Sequence, residues 1–199
     1  MKEYSYDLIL EKLISKIKIK ESNPIIGITF IAGPGFGKST VSKILSKKLG
    51  IDVMANDEIR RLYDELGFNN EEYEPDIKKM AYDRTVYLLQ NKTSHIVDAN
   101  IEFHWEMAID NYEKYNAKLL FIELTCSEEE ILRRIEKRKK TFGQTDNYSR
   151  ATEIDYYKYL ELKKQKQIPR EKIFYTINTE KDIEKQIDSL IEKIKKELK

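Results

Sequence analysis

The feature that most constrains the fold is an apolar run that leads directly into a glycine-rich, basic segment. The run IIGITFIA (25–32) is β-branched and bounded by turn residues, which predicts a buried strand. The segment GPGFGKST follows it and opens a helical pattern. Small residues let backbone N–H groups face an anion, and the helix N-terminus behind them favours negative charge. The sequence therefore predicts a phosphate-binding loop made of Gly33, Pro34, Gly35, Phe36, Gly37, Lys38, Ser39 and Thr40.

Two side chains of this loop have roles that follow from their chemistry. We expect Lys38 to reach the β- and γ-phosphates of a nucleotide and Ser39 to give a hydroxyl ligand to Mg²⁺. The strict loop pattern has glycine where this chain has Ala32. Because alanine is small, the exchange should cost little provided that Ala32 has a negative φ. The loop predicts binding of ATP and Mg²⁺, but it does not indicate what happens to the phosphate.

Strand-like and helix-like segments alternate along the chain. Five apolar runs are predicted strands, at 25–32, 51–55, 94–99, 117–124 and 172–177. The other periodic segments are predicted helices, at 4–20, 38–49, 57–66, 75–91, 103–115, 127–140, 151–166 and from 179 onward. This alternation favours an α/β, three-layer P-loop NTPase fold with a five-stranded, mainly parallel sheet and helices on both faces. We expect a single domain over 1–199, with an N-terminal helix within 1–22 and a short lid region at 138–152.

Composition narrows the range of partners. The 36 basic and 35 acidic residues give a net charge of +1, which argues against a binder of long nucleic acid. No apolar run approaches the roughly 20 residues that span a bilayer, so we expect no membrane partner. The single cysteine, Cys126, excludes an intramolecular disulfide and fits a reducing, cytoplasmic location. Whether the chain is a monomer or a homodimer stays open.

Charged residues follow the second predicted strand, in NDEIRR (56–61). Ligands of an open α/β sheet bind beyond the carboxyl ends of its strands, so Asp57 is placed to accept the proton of an attacking hydroxyl. Arg60 lies one helical turn later on the same face and can hold an anionic acceptor or the transferring phosphoryl group. The alternative is that Asp57 is a helix N-cap and Arg60 a surface residue. The spacing alone does not decide between these interpretations.

Polar residues also follow the third strand and occupy the helix before 141–150. Asp98 ends the strand in HIVDAN, where an acid can hold Mg²⁺, and Asn100 is a candidate for positioning the acceptor. Arg134 and Arg138 are four residues apart and share one helix face. Arginines on a closing lid would bring positive charge to the γ-phosphate. The alternatives are a strand-end turn residue for Asp98 and a solvated basic face for the arginines.

In this order, the segments GPGFGKST, NDEIRR, HIVDANI and LRRIEKRKK resemble small P-loop kinases of the polynucleotide-kinase and zeta-toxin-like group, over about residues 25–165. The resemblance implies an ATP- and Mg²⁺-dependent kinase acting on a hydroxyl of a small molecule, a nucleoside or a nucleic-acid 5′ end. It implies catalytic roles for Lys38, Asp57, Arg60, Arg134 and Arg138. It further implies acceptor binding by Asp57, Arg60, Asp98 and Asn100, and metal binding by Ser39 and Asp98.

The chain departs from this group after HIVDANI, where relatives often have arginines. The sequence there is Glu102, Phe103, His104 and Trp105. The two aromatic residues are either a stacking platform for a ring or core residues, and we favour the core. Two other functions stay open. One is a nucleoside monophosphate kinase, in which Arg60 binds the acceptor phosphate. The other is an NTP-dependent switch, although NKTS (91–94) lacks the acid of a guanine-reading motif.

Overall fold

The computed structural model describes residues 5–69, 72–140 and 152–198. One sheet has the strand order β2-β3-β1-β4-β5, and each neighbouring pair of strands runs parallel. The strands are β1 (Ile25–Ile31), β2 (Asp52–Ala55), β3 (His95–Asp98), β4 (Ala117–Thr125) and β5 (Ile173–Asn178). Every residue of the central strand β1 is buried. The predicted five-stranded parallel sheet is confirmed.

Eight α-helices lie within the described ranges. They are α1 (Tyr6–Ile14), α2 (Lys38–Leu49), α3 (Asn56–Leu66), α4 (Glu74–Gln90), α5 (Trp105–Glu113), α6 (Glu128–Lys140), α7 (Glu153–Gln165) and α8 (Ile183–Glu197). Short 3₁₀ turns occupy Glu102–His104 and Arg170–Lys172. Gly50 and Gly67 end α2 and α3 in left-handed caps, the conformation that glycine favours after a helix. None of these helices is long and apolar enough to cross a membrane.

The sheet is covered on both faces, which gives the predicted three layers. On one face, Ile26, Ile28 and Phe30 of β1 join the core that α2 and α8 complete. On the other face, Ile25 packs with Leu89 of α4 and with residues of α5. Successive residues of a strand point to opposite faces, so β1 supplies apolar side chains to both layers.

The first helix is shorter than predicted. The helical pattern was expected to run over 4–20, but α1 ends at Ile14 and Ser15 forms its C-cap. The following residues KIKIK (16–20) alternate lysine with isoleucine, which is the period of an extended chain. The amide of Lys18 there lies 3.4 Å from Asp52 Oδ2 at the start of β2. A contact with the sheet edge thus takes the place of two further helical turns.

A second, smaller core joins α1, α3 and α4 and is separate from the core beneath the sheet. We call it the α1–α3–α4 cluster, and its buried members are Ile9, Leu13, Ile59, Leu62, Tyr63, Ile77 and Met80. The Tyr6 hydroxyl of α1 donates to Asp83 of α4 at 2.7 Å, which adds a polar contact at its rim. Because α3 follows β2 directly, this cluster stands beside the carboxyl end of the sheet.

Candidate functional site

The glycine-rich loop joins β1 to α2 with the backbone that an anion site requires. Gly35 and Gly37 have φ values of +82° and +92°, a region that side-chain-bearing residues rarely adopt. Gly37 is the N-cap of α2 and makes no side-chain cap, so the first N–H groups of the helix remain available to an anion. Ala32 is fully buried and does not have a positive φ. Alanine is therefore tolerated in place of the first glycine, as predicted.

Lys38 is held at the ends of two neighbouring strands. Its Nζ donates to the Ala32 carbonyl at 3.0 Å and to Oδ1 of Asn100, which follows β3. Burial lowers the pKa of the Lys38 ammonium, while the charges of Asp98, Glu102 and Asp57 oppose that shift. Asn100 was predicted to position the acceptor, but its described contact is with Lys38. The structure thus gives Asn100 a role in orienting the loop lysine.

The carboxylate of Asp98 contacts the second turn of α2. Its Oδ2 is 3.4 Å from the hydroxyl of Ser42, which in turn lies 3.2 Å from the carbonyl of Ser39. A hydroxyl from Ser39 and a carboxylate from Asp98 are the hard oxygen ligands that Mg²⁺ prefers. Mg²⁺ commonly takes one or two protein ligands and completes its shell with phosphate and water. The residues present therefore fit a magnesium ion bound together with a nucleotide.

A cleft of about 1030 Å³ opens where β1, β2 and β3 end, and its lining includes Lys38, Asp57, Arg60 and Asp98. The N-cap of α3 is Ala55, so Asp57 lies inside the first turn and the N-cap alternative is wrong. Arg60 Nη1 lies 3.2 Å from Asp57 Oδ1. The same guanidinium places Nη2 at 2.9 and 3.2 Å from the two carboxylate oxygens of Glu74. The structure therefore brings together the residues that follow three different strands.

The two arginines of α6 occupy different positions. Arg134 places Nη1 at 2.9 Å from Thr179 Oγ1 and 3.3 Å from the Gly35 carbonyl, while Nη2 bonds the Thr179 carbonyl at 2.9 Å. It lines a smaller cavity of about 380 Å³ on the outer side of the loop. Arg138 lines both that cavity and the main cleft. The geometry thus makes Arg134 a brace of the phosphate loop, whereas Arg138 lies between the two cavities.

Ser127 and Glu130 have the spacing of a capping box, but at the start of α6 they form only half of one. Ser127 Oγ does accept from the Glu130 amide, at 3.4 Å. The Glu130 carboxylate, however, binds Arg133 and Arg134, which lower its pKa to about 2. Glu180, distant in sequence, accepts the Ser127 amide and hydroxyl at 2.7 Å each. A long-range carboxylate has replaced the local one because the arginines compete for Glu130.

The segment after HIVDANI contains Glu102, to which the sequence analysis gave no role. Glu102 is only 4% exposed, and neither carboxylate oxygen has a hydrogen-bond partner among the described residues. Burial raises its pKa, and the nearby Lys38 acts in the opposite direction. The aromatic residues are core, as favoured: Phe103 packs edge-on to Tyr159 with ring centroids 5.8 Å apart, and Trp105 joins a cluster under β4. The only sequence signal for Glu102 was its position in the departure.

The predicted lid region, 138–152, falls largely outside the described residues, which end at 140 and resume at 152. Of its described residues, Lys140 is the last of α6, and Thr152 caps α7 through a capping box with Asp155. Asp155 also lines the main cleft. The lid prediction therefore stays a prediction.

A family model described as an AAA domain matches residues 28–155, more than half of the chain. The chain belongs to this AAA domain family. Its AAA domain contains every site residue named above from the phosphate loop to Arg138, whereas α1, β5 and α8 flank it. A search among curated proteins gives no match.

Solved structures with the same fold as this AAA domain protein include several kinases. A putative kinase from Chloroflexus aurantiacus has a TM-score of 0.65 at 16% identity, covering 87% of this chain and 97% of its own. The APS kinase CysC from Mycobacterium tuberculosis, in complex with AMPPNP and APS, has a TM-score of 0.56 at 18% identity, covering 86% of this chain and 98% of its own. A gluconokinase from Sinorhizobium meliloti has a TM-score of 0.54 at 13% identity, covering 90% of this chain and 95% of its own. At these identities the likeness establishes a shared fold.

Proposed function

We propose that the chain is an ATP- and Mg²⁺-dependent kinase that transfers the γ-phosphate to a hydroxyl group of a small molecule. The observation that carries the proposal is that Asp57, at the end of β2, lines the same cleft as Lys38 of the phosphate loop. A carboxylate and a phosphate-binding ammonium that face one cavity are what hydroxyl phosphorylation requires. The kinases among the structures of the same fold support this assignment.

In the proposed reaction, the chain binds both substrates and moves one proton. The acceptor oxygen forms a bond to the γ-phosphorus while the bond from that phosphorus to the β,γ-bridging oxygen breaks and ADP leaves. The acceptor proton passes to the carboxylate of Asp57. Lys38 binds the phosphate oxygens, and Arg138 adds positive charge from the α6 side of the cleft. Asn100 keeps the Lys38 ammonium directed along the strand ends.

The metal that such a reaction needs fits the same edge of the sheet. Ser39 and Asp98 would hold it, with Ser42 supporting Asp98 from the second turn of α2. Bound Mg²⁺ neutralises charge on the β- and γ-phosphates. We also propose that the phosphoryl-transfer end of the cleft is built as in the polynucleotide-kinase and zeta-toxin-like group, because Asp57 of NDEIRR and Asp98 of HIVDANI line one cleft.

The test is ATP-dependent phosphorylation by an Asp57→Asn variant, with Asp188→Asn as the matched control. Asp188 lies on α8 in a surface ion pair with Lys48, so this control should behave as the wild type. Loss of a general base should lower kcat about 10²- to 10⁴-fold. The affinity for ATP should be retained, since the phosphate loop is untouched. Full activity in Asp57→Asn would remove this residue as the base.

A further inference from the structure

The cleft has a second half, beyond the phosphate loop, that is built from α3, α4 and α5. Its inner surface includes Ala81, Val86 and Leu89 of α4 and Met107 and Ala108 of α5. The hydroxyl of Tyr82 reaches Asn111 Oδ1 at 3.4 Å and links the two helices. These apolar side chains suit a ring or other apolar body, while Thr85 and Asn111, which line the same half, offer partners to a single hydroxyl or neutral polar group.

The basic side chains of α3 and α4 that line this half are already paired with carboxylates. Arg60 contacts both Asp57 and Glu74, and Lys78 lies 3.8 Å from the same Glu74. A phosphate or carboxylate on the acceptor would have to displace Asp57 or Glu74 from Arg60 and would lie beside the displaced charge. Like charges brought together in a partly buried site oppose binding by several kcal/mol. The mouth of this half of the cleft therefore disfavours anions.

A third cation of this half, Arg84 of α4, is also paired with a carboxylate. Its side chain is 2% exposed, with Nη1 at 2.7 Å from Glu58 Oε2 and Nη2 at 3.1 Å from the Ala55 carbonyl. Its Nε is buried and has no hydrogen-bond partner within the described ranges. Glu58 therefore balances the charge of Arg84, so this guanidinium, like that of Arg60, would have to lose a carboxylate partner to bind an anionic acceptor.

Building on the kinase function above, we propose that the acceptor is an uncharged alcohol with a ring-sized apolar body. The ring occupies the surface between α4 and α5, and the hydroxyl points toward Asp57. Acceptors that carry a phosphate or a carboxylate, including nucleoside monophosphates and phosphorylated strands, are disfavoured at this site. The proposal therefore opposes the nucleoside monophosphate kinase interpretation, for which Arg60 would have to be available to an acceptor phosphate.

The test compares two acceptors that differ by one charge, 2-phenylethanol and 4-(2-hydroxyethyl)benzoate, with glucose as a polyol. ADP formation gives kcat/KM for each. The wild type should favour 2-phenylethanol over the benzoate by at least about tenfold, because the added carboxylate meets Asp57 and Glu74. It should also favour 2-phenylethanol over glucose. Preference for the benzoate or for glucose would overturn the proposal while leaving the kinase function intact.

Two variants test the two halves of the argument. Glu74→Gln releases Arg60 from one carboxylate. The ratio of kcat/KM for 2-phenylethanol to kcat/KM for the benzoate should then fall by about tenfold. Glu65→Gln, whose partner Arg61 is outside the cleft lining, is the matched control and should leave the ratio unchanged. Val86→Glu places a charge on the apolar surface and should lower kcat/KM for 2-phenylethanol with the Kd for ATP unchanged. A ratio unmoved by Glu74→Gln would contradict the role given to Arg60.

Direct binding separates this proposal from the kinase function. If ATP binds but no acceptor is phosphorylated above buffer, the proposed function fails, and titration calorimetry with the same three compounds decides the acceptor class. Binding of 2-phenylethanol in preference to the benzoate and glucose would support the class even then. Equal binding of the charged and uncharged compounds, or binding of none of them, would overturn it.

Discussion

On the nucleotide side of the cleft, hydrogen bonds fix almost every group: Lys38 donates to Ala32 and Asn100, and Arg134 ties the Gly35 carbonyl to Thr179. On the acceptor side, the walls are helices packed through apolar side chains, and the polar contacts are ion pairs at the mouth. The first side holds a group that every nucleotide shares, so a rigid backbone cradle suffices. In our proposal, the second side must distinguish one acceptor from another, by its shape and by cations that are already paired.

The largest effect should come from removing the ammonium of the nucleotide side. Lys38→Ala should lower kcat/KM by about 10²- to 10³-fold, as loss of one preorganised donor to developing charge does in other enzymes. Because this group acts on the phosphate alone, the factor should be the same for every acceptor. Lys43→Ala, an exposed lysine of the same helix, is the control. If the loss of kcat/KM differed between acceptors, Lys38 would also take part in acceptor recognition, and the two sides would not act separately.

The glycines of the two sides offer a second comparison at the same backbone angle. Gly35 and Gly67 both have φ near +82°, but a Cβ on Gly35 would lie 2.7 Å from Ile131 Cγ2 and 2.9 Å from the Ile131 carbonyl. No described atom lies within 4 Å of a Cβ on Gly67. Gly35→Ala should therefore lower the free energy of unfolding by about 2–4 kcal/mol, and Gly67→Ala by only about 1 kcal/mol. Chemical denaturation of the two variants measures the difference, and equal costs would show that the loop has room to move.

Substitution of two adjacent arginines of α6 measures how much the Arg134 contacts with Gly35 and Thr179 contribute to stability and ATP binding. Arg134→Lys loses the bonds to Thr179 and Gly35 and should cost about 2 kcal/mol of stability together with weaker ATP binding. The neighbouring Arg133 is 62% exposed and pairs with Glu130, so Arg133→Lys should leave the stability almost unchanged. Thermal unfolding with and without ATP gives both quantities. Similar values for the two variants would mean that the brace contributes nothing beyond a surface ion pair.

The free energy of unfolding should depend on pH through His95, which contacts Tyr112 in the cleft lining. Its Nδ1 lies 2.9 Å from the Thr93 carbonyl, which can only accept, so Nε2 accepts from the Tyr112 hydroxyl at 2.6 Å. Burial lowers the pKa of His95 to about 4, whereas the unfolded chain takes up this proton near pH 6.5. Stability present above pH 6.5 is thus lost as the pH falls toward 4, by about 1.4 kcal/mol between pH 7.5 and 5.5.

The measurement is the free energy of unfolding against pH for the wild type and for His95→Gln. Glutamine keeps a polar group in place but does not titrate, so the variant should show a shallower loss between pH 6.5 and 4. Because His95 stays neutral in the folded protein until the pH approaches 4, its bond to Tyr112 in the cleft lining should persist over most of this range. Parallel pH curves for the two proteins would remove His95 as the cause.

Features made of residues close together in the sequence could be predicted, whereas contacts between distant residues could not. The phosphate loop is eight consecutive residues, and its strand, loop and helix were all predicted. Asp57, Arg60 and Asp98 were found because parallel strands end at one edge of the sheet. By contrast, the Glu180 cap on Ser127 and the Asn100 contact with Lys38 join residues 53 and 62 positions apart, and a periodic pattern carries no information about them. The end of α1 was missed for the same reason, since its limit is a contact with β2.

The acceptor half of the cleft could not be predicted because it has no contiguous motif. Val86, Leu89 and Met107 are ordinary apolar residues of amphipathic helices, and only packing shows that they face a cavity. The engagement of Arg60 by Glu74 spans 14 residues and two helices. Sequence alone left Arg60 available to a phosphate and gave no sign of this ion pair.

The α1–α3–α4 cluster is a core of its own, apart from the one beneath the sheet. Leu62 and Ile77 of this cluster are buried behind the cleft and do not line it. Substitutions among them would therefore shift α3 and α4 and change the width of the acceptor half without touching the phosphate loop. A library confined to this cluster should alter acceptor choice while the affinity for ATP stays the same.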